Sequence, residues 1–110
     1  SERFAAYQFL VRWDPAVARI RSVRPCRADS FPANPEFDPA TFATGSTRII
    51  ASSLHGLGHG DYHLLTIAFE EVAAGKTPVH VVVEGLYDDS PLPRRVEGRL
   101  KGGPWEIRFP

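Results

Sequence analysis

The sequence has no methionine and a single cysteine, Cys26. Ser1 is therefore not a translation start, and a processed chain or an excised piece of a longer one is expected, with any secretory signal or anchor outside these residues. One thiol can form neither an internal disulfide nor a cysteine-built metal site. Cys26 stands between Arg24-Pro25 and Arg27. There it is either an ordinary loop cysteine or a reactive thiol whose pKa the guanidinium groups lower. An excess of charge of one sign is also lacking. Lys plus Arg number 13 and Asp plus Glu number 13, so no net field concentrates nucleic acid or anionic lipid, and a nucleic-acid partner is not expected. No run approaches 18 consecutive apolar residues, which excludes a membrane-spanning helix within the chain.

What is present points to one folded unit. With 110 residues and 43% apolar content, the chain has the size of one domain, spanning 1–110, with one core. The 12 aromatic residues and several β-branched runs can bury enough surface to offset the chain entropy. Between 9 glycines and 10 prolines the apolar positions recur every second residue, the period of strands. Tyr7, Phe9, Val11 and Trp13 alternate with Ala6, Gln8, Leu10 and Arg12, which predicts a strand over residues 4–13 with its aromatics on one face. A second alternating piece covers 18–23. Residues 25–45, with isolated Phe31, Phe37 and Phe42, read as a long loop pinned to the core by aromatic contacts. Further strands are predicted over 47–53, 63–70 and 79–84, the last continuing or bulging through Gly85–Asp88. Residues 96–100 and 105–109 read as a closing hairpin, and only Val17–Ile20 and Glu70–Ala74 could form helical turns. The expectation is an all-β jelly-roll or immunoglobulin-like sandwich of about seven to nine short antiparallel strands.

Three stretches together resemble the cohesin family, the jelly-roll modules that bind dockerins on bacterial and archaeal cell surfaces and share their architecture with some carbohydrate-binding modules. The first is Ala6-Tyr7-Gln8-Phe9-Leu10-Val11-Arg12-Trp13-Asp14-Pro15-Ala16-Val17, a strand ending in an aromatic-Asp-Pro corner. The second is Ile50-Ala51-Ser52-Ser53, then a glycine turn and Leu64-Leu65-Thr66-Ile67-Ala68-Phe69-Glu70. The third is Ala74-Gly75-Lys76-Thr77-Pro78-Val79-His80-Val81. The corner also has a local physical reason: Asp caps the turn through its side chain and Pro fixes φ where the chain leaves the strand. Gly75 suits the positive-φ position of a tight turn. The chain departs from the family at its start, since only Ser1-Glu2-Arg3 precede a strand that cohesins place after one or two others. With the opening strand missing, either the domain begins upstream or a strand from another chain completes it, as in β-strand addition.

No catalytic set stands out: there is no nucleophile elbow, no Ser/His/Asp ordering with its glycine signature and no phosphate-cradling loop. Glu70-Glu71 and Glu84 would form a glycosidase pair only if brought into one cleft, and strand alternation gives no reason for that. Around the glycine turn, His59, Asp61 and His63 fall on alternate residues and could converge on zinc or copper; the other reading is a solvated turn with incidental histidines, His55 among them. His80 in its apolar strand reads as a sheet histidine. Asp14, Asp29, Glu36, Asp38 and the pair Asp88-Asp89 supply oxygen ligands of the kind calcium uses, without an EF-hand spacing. Trp105, Tyr62 and Tyr87 would make a sugar-stacking platform if they point outward from one sheet, whereas Trp13 belongs in the core.

The reading that follows is a non-enzymatic, extracellular or cell-surface assembly module of cohesin type, with another protein or protein strand as partner. The alternatives are a carbohydrate-binding module and a subunit of a filament or larger complex completed by a donor strand.

Overall fold

The computed structural model describes residues 3–25, 31, 33–58, 60–100 and 105–109. Among them are six strands: β1 (Phe4–Arg12), β2 (Ala18–Pro25), β3 (Ser46–Leu57), β4 (Leu65–Glu71), β5 (Gly75–Asp88) and β6 (Trp105–Phe109). They form two antiparallel sheets, one ordered β3-β1-β5-β6 and one consisting of β2-β4. The all-β sandwich is thus present, with six strands in place of seven to nine. The long strands at 46–57 and 75–88 absorb segments that the glycine and Gly-Pro signals would break.

The period-two row of β1 explains why the sheets face one another. Ala5, Tyr7, Phe9 and Val11 are all buried, and the residues between them are more exposed. Tyr7 stacks on Phe9 at 4.7 Å between ring centroids and meets Phe31 of the 25–45 loop at 5.6 Å; Phe4 also touches Phe31, at 4.8 Å. Phe37 and Phe42 stack on each other at 5.4 Å, so the loop is pinned by aromatics as its sequence predicts. Glu36 and Ile50 exchange backbone hydrogen bonds, which fixes the loop against the outer edge of β3.

The aromatic-Asp-Pro corner carries the chain from one sheet to the other. The Trp13 indole donates to the Ala18 carbonyl at 2.8 Å and packs edge-on against Phe69 of β4. Asp14 Oδ1 accepts from the Ala16 amide at 2.9 Å, closing the turn, while the Asp14 amide donates to the Oγ1 of fully buried Thr77 at 2.7 Å. Opposite the corner, Gly45 has φ +88° and its carbonyl accepts from the Trp13 amide. Gly75, which opens β5, has φ +140°.

The predicted closing hairpin does not form. β6 pairs with Gly75–Val79 at the start of β5, and residues 94–96 run back beside 86–88 through an Arg94–Asp88 and a Val96–Leu86 backbone bond. The apolar row of β6 follows the row of β5, and Val79 and Thr77 are better buried partners than the glycine-flanked segment before it. Of the two candidate helical turns, 18–20 belongs to β2 and 70–71 to β4, with bends at 72–74. Among the described residues no helix is long and apolar enough to cross a membrane.

A methyl group on Gly45 would sit 2.8 Å from Pro15 Cδ and 3.0 Å from the Trp13 carbonyl, on a backbone that L residues rarely adopt. Gly45→Ala is therefore expected to cost about 1–3 kcal/mol in urea unfolding. At Gly58 a methyl meets nothing within 4 Å, and Gly58→Ala should leave stability unchanged or slightly raised.

Candidate functional site

Two surfaces have the makings of a site. The first is the outward face of the four-stranded sheet. Its register sets Arg48, Leu10 and Val82 in one row across β3, β1 and β5, and Ser46, Arg12 and His80 in the next. Ile50 lies opposite Gln8 in a third. Ile50 on the edge strand β3 is 39% and Val82 on β5 45% exposed, large for apolar side chains.

The polar hub of this face is Glu84. The β1–β5 register shifts between Gln8 and Phe9, so that Gly85 pairs with Gln8 and Val83 with Phe9, leaving Glu84 as the extra residue of a β-bulge. Re-aimed by the bulge, its carboxylate accepts from Gln8 Nε2 at 3.1 Å and from Arg48 Nε and Nη2 at 2.6 and 3.0 Å, a bidentate pair spanning three strands. The Arg48 hydrogen bond, then that from Gln8, pulls the Glu84 carboxyl from its ordinary 4.5 down to about 2, and raises Arg48 in turn. Beside the hub, Gly85 leaves room for the Tyr87 ring, which a Cβ there would strike. Arg95 lies over that ring at 5.9 Å and donates to the Glu84 carbonyl.

The second surface is a trough between the sheets. Four strands face only two, and a cavity of about 660 Å³ opens where β4 stops covering β5 and β6. Its floor includes Val81, Val83, Leu86 and Ile107, and its wall includes Leu65 and Ile67 of β4. All six are half-buried although they belong to the core-facing rows.

The sequence-predicted residues are distributed between these surfaces. Trp105 and Tyr62 line the trough, and the Tyr62 hydroxyl donates to the Gly58 carbonyl at 2.7 Å. Tyr87 lies on the outward face, so the three rings share no platform. His63 Nε2 is 2.9 Å from Thr66 Oγ1, and Asp61 and His63 line the trough. His59, Cys26 and Asp29 lie outside the described residues. Among the described residues, no three His, Cys, Asp or Glu side chains come together as a metal site. Several of the candidate calcium ligands accept backbone hydrogen bonds. Asp88 accepts from the Arg94 amide and then from that of Ser90, which hold its carboxyl below the ordinary value; Asp89 accepts from the Gly56 amide, and Asp38 from that of Ala40. Glu70 pairs with Arg19 on the two-stranded sheet, whereas Glu84 lies on the outward face of the other sheet. The Arg48–Glu84–Gln8 hub was not foreseeable from the sequence, because no strand-pairing register follows from the sequence alone. A Glu-Gly pair interrupting a β-branched strand was the available signal.

No protein-family profile and no curated protein sequence matches the chain. Among solved structures it is similar to the cohesin module of a family 33 glycoside hydrolase from Clostridium perfringens ATCC13124. The TM-score is 0.68 at 11% identity, over 98% of this chain and 74% of the other. The chain therefore has a cohesin-like β-sandwich fold.

Because the folded-state pKa of Glu84 lies below its ordinary value, the ionised carboxylate favours the folded state. Its contribution is complete above pH 4.5 and fades as pH falls toward about 2. In carbon-detected NMR titration, Arg48→Ala should move the Glu84 midpoint upward. Glu84→Gln should flatten the loss of stability across that window. An unmoved midpoint would mean that the ion pair is not formed in solution.

Proposed function

We propose that this chain is a non-enzymatic protein-interaction module of the cohesin type, working at a cell surface or outside the cell. The observation that carries the reading is the outward face of β3-β1-β5. A sheet face that is hydrogen-bonded within itself cannot bind by strand addition, but it offers a flat, preorganised patch. Here the Arg48–Glu84 pair crosses β1 and is flanked by the exposed apolar side chains Ile50 and Val82, with Leu10 beneath them and Arg12 in the next row. Exposed apolar side chains beside a fixed ion pair can serve a docking surface: the apolar groups supply desolvation energy, and the charges set orientation and reject wrong partners. The bidentate Arg48–Glu84 pair holds its own side chains in place, so little rotamer entropy is lost when a partner settles on them. The cohesin-like fold supports a partner of dockerin type, and the cell-surface assignment rests on the same likeness.

The test is titration calorimetry against a panel of dockerin modules, with polysaccharide affinity electrophoresis alongside. A dockerin should bind, and Ile50→Arg with Val82→Arg should weaken it at least about tenfold, the loss expected at the centre of an interface. Circular dichroism should be unchanged, because both side chains point to solvent. Retardation by polysaccharide with no dockerin binding would overturn the reading in favour of a carbohydrate-binding module.

A further inference from the structure

The trough leaves two strand edges unpaired above an apolar floor. β4 pairs with β2 along one side only, and β6 ends the four-stranded sheet; among the described residues no strand pairs with the outer edge of either. Among the described residues four strands face two, and segments 60–64 and 96–100 border the gap between them; one strand added beside β4 needs about 5 Å at ordinary strand spacing. Unpaired backbone groups at the lip of an apolar trough favour an occupant that supplies both hydrogen bonds and apolar side chains at every second residue. An extended polypeptide does both, and an acyl chain or a sugar does not. Charge narrows the choice further. Of the trough-lining residues, Asp61, Glu97 and Glu106 are acidic and Arg99 basic, with Glu106 also accepting from Arg108 at 3.2 Å.

We propose that the trough is a β-strand acceptor site: an extended segment of a partner protein, with apolar residues alternating with Lys or Arg, adds along the outer edge of β4. Its apolar side chains lie over Val81, Val83, Leu86 and Ile107. Its basic side chains meet the acidic rim, and the two-stranded sheet becomes three-stranded. This site lies on the opposite side of the four-stranded sheet from the docking face, so either can fail without the other.

The probe is a nine-residue peptide in which Val and Ile alternate with Lys, added to the 110-residue chain. Trp105 at the rim reports occupancy by its fluorescence, since Trp13 is buried and already bonded. Binding should be saturable, and the melting temperature should climb with peptide concentration. Methylating one alternate set of peptide nitrogens should weaken binding at least about tenfold, and methylating the other set should leave it nearly unchanged, because an added strand pairs through one edge. Replacing Lys by Glu should weaken binding several-fold, as should Glu97→Arg in the protein, an exposed change that leaves the core intact. Equal binding of all methylated forms, or competition by a fatty acid, would overturn strand addition. So would absence of binding. A longer form of the protein whose own residues fill the trough and shut out the peptide would overturn assignment to a partner.

Discussion

β1 is hydrogen-bonded along both of its edges, to β3 and to β5, and the rest of the structure depends on that double pairing. A strand with one buried face and two satisfied edges has a single tolerable register, since a slip of one residue would turn Tyr7, Phe9 and Val11 toward solvent. Once β1 is fixed, β3 and β5 are placed relative to each other without pairing directly, and the Trp13-Asp14 corner hands the chain across to β2 and the second sheet. The same double pairing rules out an added strand beside β1. Among the described residues, the outer edges of β4 and β6 have no strand beside them.

The outward face shows how a backbone irregularity becomes a surface chemistry. In a regular ladder each residue of β5 would have one partner on β1. The extra residue at position 84 breaks that count, and it is the carboxylate of this residue that ties Gln8 of β1 to Arg48 of β3. An exposed single ion pair contributes little to stability. A bidentate pair bridging three strands instead fixes the spacing of the charges around Leu10, Ile50 and Val82, which matters for recognition more than for folding.

The strands were legible wherever one face is buried, because period-two alternation records burial. That is why β1, β2 and the centre of β5 were readable, and why the corner could be assigned from Trp13-Asp14-Pro15. Boundaries failed where local and long-range signals conflict. Gly56 reads as part of a turn, yet it continues β3, its carbonyl taking the Arg3 guanidinium and its amide donating to Asp89. The segment at 96–100 alternates well enough to suggest a hairpin arm, but its partner is decided by which inward row β6 can continue, a tertiary property. The candidate site was less legible than the fold for the same reason: Gln8, Arg48 and Glu84 are separated by tens of residues, and only the register unites them. Tyr62 and Trp105 were identifiable as unusual aromatics, but not as residues lining one trough.

A sandwich of unequal sheets has a consequence for how such a protein behaves. Buried apolar side chains stabilise only in proportion to the surface that the opposing layer covers. Here the inward rows of β5 and β6 are covered along part of their length, so Val81, Val83, Leu86 and Ile107 carry unrealised burial. Covering them would add stability to the fold and affinity to the contact by the same increment, because the two are one free energy seen from the folded state and from the complex. Docking on the outward face would be linked to stability in the same way, but it would leave the strand pairing of the sandwich unchanged. The two surfaces thus differ in kind. As proposed, one would recognise a partner without changing the sandwich, and the other would bind by extending it.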